Sequence, residues 1–149
     1  MIQSLEHLRT LIGKEVAISD WLEVSQDRIN QFATATSDPQ WIHVDPERAK
    51  RESPYGTTIA HGFLTLSLLV PMAAVIRVPG IRMGVNYGTD KVRFPAPVPA
   101  GSKIRARFTL RSLEDLPGNA VKASWSGIVE RDGGDKPVCV ADWIVLYYL

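Results

Sequence analysis

Lys103-Ile104-Arg105-Ala106-Arg107-Phe108-Thr109-Leu110 alternates polar and apolar side chains without a break. Successive strand residues point to opposite faces, so this stretch reads as a strand with one dry face and one wet face. The pattern returns where Val121, Ala123 and Trp125 alternate with Lys122, Ser124 and Ser126, and Val138 to Tyr148 is a longer strand-like run. Pro117-Gly118-Asn119 and Asp132-Gly133-Gly134 separate these runs with turn residues. Strands of a parallel α/β sheet are covered on both faces and read as near-continuous apolar runs, so wet-faced strands indicate an antiparallel sheet.

Working back toward the N-terminus, His61 to about Val75 is apolar nearly all round, which predicts a helix surrounded by the rest of the protein. Pro71 is expected to bend that helix or to stand near its end. The apolar stretch Phe63–Ile76 is broken by Thr65, Ser67 and Pro71 and falls short of the roughly 20 residues of a membrane span. Leu5, Leu8 and Ile12 have helical spacing before Gly13, and Val16, Ile18, Trp21 and Leu22 suggest one strand. Ser25 is placed to cap a helix with Ile29, Phe32 and Ala33 on its inner stripe, ending near Ser37. Asp45-Pro46 is an N-cap followed by proline, which opens a short helix through Arg51. One buried helix followed by three or four antiparallel strands makes an α+β chain, most economically a curved sheet wrapped round a central helix in one domain spanning residues 1–149.

The composition narrows the function. With 17 Lys+Arg against 16 Asp+Glu, the chain lacks the basic field that nucleic acid binding usually needs, and no polynucleotide partner is expected. Cys139 is the single cysteine, so neither an intrachain disulfide nor a thiolate metal cluster can be built. Met1 to Arg9 has no apolar block of the signal-peptide kind. A cytoplasmic location is expected.

Side chains able to do acid–base work cluster between positions 34 and 62. Asp38 follows the second helix, and His43 comes five residues later across a proline-containing turn, a spacing that lets one loop aim both at a common point without fixing that it does. Around them stands Ser37-Asp38-Pro39-Gln40-Trp41-Ile42-His43-Val44-Asp45. It resembles the Asp-x-Asn-Pro-x-His motif of the MaoC-like (R)-specific enoyl-CoA hydratases. His61-Gly62-Phe63-Leu64 resembles the start of that family's central helix, and Phe94-Pro95-Ala96-Pro97-Val98 with Gly101 resembles its Phe-x-x-Pro-Val-x-x-Gly segment. Ser37, Gln40 and Trp41 stand where glycine, asparagine and proline are usual; the Trp-Ile-His form resembles the NodN-like branch.

The resemblance implies a single hotdog fold, usually a homodimer, that interconverts 2-enoyl and (R)-3-hydroxyacyl thioesters of CoA or acyl carrier protein. Asp38 and His43 would hold one water and share its deprotonation and the delivery of a proton, in either assignment. Gly62 would supply a backbone oxyanion donor, because the first N–H groups of a helix have no internal partner. No metal or redox cofactor is implied. Phe94 is expected at the substrate channel, and Asn86 and Tyr87 at the thioester arm or the dimer partner. His61 is expected to shape the loop and to cap the helix, and Asp45 to act only as an N-cap.

Two other functions keep the same architecture: thioester hydrolysis, and acyl-thioester binding without catalysis. Thioesterases of this fold usually lack the Asp-x4-His loop, and a binding partner would be expected to lose Asp38 or His43. Lys103, Arg105, Arg107 and Arg111 would share one strand face; the choice there is between a solvated surface and an electrostatic guide for CoA phosphates or an acidic carrier.

Overall fold

In the computed structural model, which describes all of residues 1–149, Lys103–Leu110 lies within the longest strand. The strands are β1 (Glu15–Ile18), β2 (Leu22–Val24), β3 (Met83–Arg93), β4 (Ser102–Leu116), β5 (Ala120–Arg131) and β6 (Cys139–Tyr148). All pairings are antiparallel, in the order β1-β4-β5-β6-β3, with β2 also on β4. Ile104, Ala106, Phe108 and Leu110 are completely buried while Lys103, Arg105, Arg107 and Thr109 face outward, as their alternation requires.

Residues 16 to 22 form two strands rather than the single one expected. Ser19 breaks the run: its N–H donates to the Ala106 carbonyl at 2.9 Å, while its Oγ accepts from the Ala106 N–H at 2.9 Å. The hydroxyl thus replaces a main-chain carbonyl in the ladder, freeing the backbone to turn before β2.

The helices are α1 (Leu5–Arg9), α2 (Gln26–Thr36), α3 (Trp41–Val44), α4 (Pro46–Glu52), α5 (Gly62–Ser67) and α6 (Leu69–Met72), followed by a 3-10 turn at Ala73–Val75. α5 and α6 form the expected central helix, broken at Leu68. Pro71 explains the break, because it offers no N–H to the Ser67 carbonyl four residues earlier and its ring crowds that turn. Leu64, Leu68, Leu69 and Met72 join Ile104, Phe108, Trp125 and Ala141 in one core cluster. The helix approaches β5 closely at Gly127, where a Cβ would stand 3.0 Å from Leu69 Cδ2.

The expectation that this helix is covered on all sides is corrected. Phe63 is 71% exposed and Val70 48% exposed. The sheet covers one face only, and within one chain nothing lies over the other. β3 is likewise open: it pairs with β6 on one side, its other edge is free, and ten of its eleven residues are exposed. The whole is a hotdog fold: a helix held by a curved antiparallel sheet.

Candidate active site

The site is assembled where the end of α2, the single turn α3 and the start of α5 meet. Ser25 Oγ accepts from the Arg28 N–H at 3.1 Å and starts α2. After eleven helical residues α2 is stopped by Ser37, which adopts the left-handed conformation (φ 57°, ψ 38°). Glycine occupies such positions at least cost. The reversal places Asp38 just beyond the helix, with its N–H on the Ala33 carbonyl at 3.0 Å and its side chain 53% exposed.

The loop expected between Asp38 and His43 is instead partly helical, with α3 carrying His43 inward until it is 7% exposed. Three bonds fix this residue. Its N–H donates to the Gln40 carbonyl at 2.9 Å, its carbonyl accepts from Gln26 Nε2 at 2.7 Å, and its Nδ1 lies 2.7 Å from the Ile59 carbonyl. A carbonyl only accepts, so Nδ1 carries the proton and Nε2 keeps the free lone pair. Burial, aided by the neighbouring His61 imidazole, holds His43 below the ordinary imidazole range against the opposing influence of Ile59 and Asp38.

Thr58, Ile59 and Ala60 brace this arrangement from behind. The Ile59 N–H donates to the Ile42 carbonyl at 3.0 Å, the Ala60 N–H to Val98 at 2.8 Å, and the Ala100 N–H to Thr58 at 2.9 Å. Thr58, itself buried, donates its hydroxyl to Gln26 Oε1. Gln26 and the Ile59 carbonyl escaped the sequence reading. A capped first turn at Ser25 marks where Gln26 stands, but its task is to hold a backbone carbonyl 17 residues away, which leaves no motif.

His61 stacks on His43 with ring centroids 3.8 Å apart and planes 24° from parallel. It is the N-cap residue of α5, yet its side chain makes no capping bond, contrary to the role expected for it. The amides of Gly62, Phe63 and Leu64 therefore keep no acceptor within the chain. Gly62 sits beneath the Phe94 ring, where a Cβ would meet Phe94 Cδ2 at 2.8 Å. Both border a cavity of about 260 Å³ that is also lined by Tyr55, Thr65, Val98 and Val138.

Asp38, His43 and His61 each bring one polar atom within 4.8 Å of the others, a grouping also able in principle to hold a metal ion. The two rings, however, are stacked with their planes only 24° apart, so an ion in the plane of one lies well out of the plane of the other, which suits coordination poorly. Asn86 and Tyr87 stand elsewhere, on β3. Asn86 Oδ1 accepts from Trp143 Nε1 at 2.9 Å, and neither residue lines the cavity at Gly62. Asp45 accepts from the Arg48 N–H at 2.9 Å and is the N-cap of α4.

Other reactive groups are occupied. Arg105 and Arg107 both pair with Glu130, and Arg107 also with Glu15 at 3.3 Å, so these cations are neutralised on the sheet surface. Cys139 is buried, and burial pushes its thiol up to about 11. A larger cleft of about 1060 Å³, lined by Ile2, Leu11, Val16, Val75, Ile76 and Tyr147 among others, includes none of the site residues. No helix is long and apolar enough to cross a membrane.

A helix seated in an antiparallel sheet, with an imidazole–carboxylate cluster at the helix start, defines a hotdog-fold protein with acid–base groups beside unpaired amides. Residues 7–131 match the family model described as the MaoC like domain. The chain belongs to the MaoC-like dehydratase family. It is 50% identical over 146 residues to 3-hydroxyacyl-thioester dehydratase Z of Mycobacterium tuberculosis, covering 97% of this chain and 96% of that one. It is 43% identical over 145 residues to Nodulation protein N of Rhizobium leguminosarum bv. viciae, covering 96% and 90%. Among solved structures, the R-hydratase PhaJ1 from Pseudomonas aeruginosa superposes with a TM-score of 0.68 at 25% identity, covering 89% of this chain and 79% of that one.

Proposed function

We propose that this protein interconverts (R)-3-hydroxyacyl and 2-enoyl thioesters by removing or adding water. The observation that carries the reading is the cluster of Asp38 and His43 with His61, the residue from which α5 and its free amides start. The 50% identity to a thioester dehydratase over 97% of the chain and the likeness to an R-hydratase support it.

In dehydration, C2 gives up a proton, the C3–O bond breaks, and the hydroxyl leaves as water with a second proton. The electron pair of the C2–H bond becomes the C2–C3 double bond. His43 Nε2 and the Asp38 carboxylate share the two proton transfers, and hydration uses the same groups in reverse. Negative charge grows on the thioester oxygen between the steps, and the Gly62 amide faces it. Such a donor contributes about 3–4 kcal/mol in the transition state. The absence of a side chain at Gly62 lets the Phe94 ring pack directly on its backbone, beside the cavity that both border. No metal or redox group takes part, and CoA or acyl carrier protein is only the substrate's handle.

The free edge of β3, with Met83, Val85 and Tyr87 exposed, supports a homodimer joined along this strand. Asn86 and Tyr87 then act toward the partner rather than toward their own Asp38. Replacing Val85 and Tyr87 by lysine halves the mass in sedimentation if the edge is the interface; an unchanged mass removes it.

The enzymatic reading is tested with purified protein and crotonyl-CoA, following loss of the conjugated enoyl absorbance. Asp38→Asn and His43→Gln each lower the rate by about 10²–10⁴-fold. Release of free CoA in place of hydration makes the protein a thioesterase, and undiminished hydration by both variants removes the pair.

A further inference from the structure

His61 is 4% exposed and makes no capping bond, so the structure leaves unexplained why a histidine is buried at this point. Its ring lies between His43 on one side and Phe32 on the other, the latter with centroids 4.9 Å apart. Nε2 is 3.0 Å from the Asp38 main-chain carbonyl and 3.9 Å from Asp38 Oδ2. Nδ1 is buried and has no partner.

These contacts decide the protonation pattern. The Asp38 carbonyl only accepts, so Nε2 carries the hydrogen and Nδ1 keeps its lone pair. A second proton on Nδ1 would create a buried N–H without an acceptor, and a cation stacked against the His43 ring. His61 is therefore an Nε2–H donor with one directed bond. That bond matters to Asp38, whose only other hydrogen bond is from its own N–H to Ala33. Nothing else in the chain ties down its carbonyl or its carboxylate.

We propose that His61 is the positioning residue of this site: its edge fixes the Asp38 main chain, its face supports the His43 ring, and its chain continues into Gly62. One side chain thereby sets the distance between the two proton-transferring groups. A displacement near 1 Å at such a place costs about 10²-fold in rate. The inference rests on the hydratase/dehydratase reading for its catalytic meaning, and on geometry alone for the tautomer and the bond to Asp38.

Two substitutions separate the edge from the face. His61→Phe keeps an aromatic ring against His43 and removes the bond to Asp38. His61→Gln keeps an N–H able to reach the Asp38 carbonyl and removes the stack. With the full chain and crotonyl-CoA, His61→Phe is expected to lower kcat by about 10–100-fold with KM within about twofold, and His61→Gln to recover most of that loss. Thermal unfolding and circular dichroism are recorded beside each variant. A kcat unchanged in folded His61→Phe overturns the proposal, as does a change confined to KM, or equal losses in both variants that follow the folded fraction.

A second readout does not depend on turnover. Long-range 1H–15N correlation of the wild-type imidazoles is expected to show His61 as the Nε2–H tautomer. In His61→Phe the Asp38 signals shift or broaden while those of the core strands stay. An Nδ1–H tautomer in the wild type, or an unmoved Asp38, overturns the positioning role. A wild type that binds but never hydrates enoyl thioesters removes the functional reading, and the spectra still decide the bond.

Discussion

His43 donates its Nδ1 proton to the Ile59 carbonyl across 2.7 Å, which leaves Nε2 as the only ring nitrogen open to a substrate. This bond keeps the imidazole in one tautomer, and burial keeps it neutral to lower pH than a free histidine.

The pH dependence follows from that direction. The unfolded chain takes up a proton at His43 near about pH 6.5, whereas the folded chain does so only at lower pH. The unfolded state binds more protons between those two values, so stability is full above about 6.5 and is lost as pH falls through the window. Acidification from about pH 7.5 to 5.5 should lower the Tm of the wild type more than that of His43→Gln, as scanning calorimetry will show. The acid limb of kcat/KM should likewise lie below about 6.5.

Gly62 is held against Phe94, which predicts an unusual rescue. Gly62→Ala places a methyl group 2.8 Å from the ring and should cost about 1–3 kcal/mol in urea unfolding. Phe94→Leu in the same chain should return most of this. If the double variant is as unstable as the sum of the single ones, the crowding lies elsewhere.

Ser37 carries a left-handed backbone at the end of α2. Ser37→Gly removes the steric cost of the Cβ, offset in part by the freedom glycine gains in the unfolded chain. The net expectation is a stabilisation of a few tenths to about 1 kcal/mol, measured as a raised Tm.

Arg105 and Arg107 share Glu130, and Arg107 also holds Glu15. Cations already neutralised in this way attract CoA phosphates weakly, so Arg105→Ala with Arg107→Ala should leave KM and its salt dependence within about twofold of wild type. The guanidiniums, Arg105 first, hold the Glu130 carboxyl below its ordinary range. That contribution is present above the usual carboxylate pKa and disappears as pH falls through the lowered one; for so accessible a group it amounts to less than about 1 kcal/mol.

What could be read from the sequence was whatever repeats locally or stands in a motif. The alternation at Lys103–Leu110 reports a strand because side-chain direction is a property of neighbouring residues. The caps Ser25 and Asp45 and the run after Gly62 were legible for the same reason. The division at Ser19 was not, because it depends on a hydroxyl meeting Ala106, 87 residues away. The open face of Phe63 and Val70 was misjudged because apolar character does not say what covers it. In the site, the motif indicated Asp38 and His43, but the roles of Gln26 and Ile59 and the contact of His61 with the Asp38 carbonyl arise from tertiary bonds. Asn86 and Tyr87 were expected at the thioester arm or the dimer partner, and the sheet carries both on β3, its edge strand.

The bracing of His43 has a kinetic side. Gln26 reaches Thr58, 32 residues further on, and Ala60 is tied to Val98. No segment of the chain, however helical, can set His43 in place before these distant parts have met. Contacts of such sequence separation form late and slowly. During refolding, the far-ultraviolet helix signal should therefore return first, and the capacity for turnover only when the last long loop has closed.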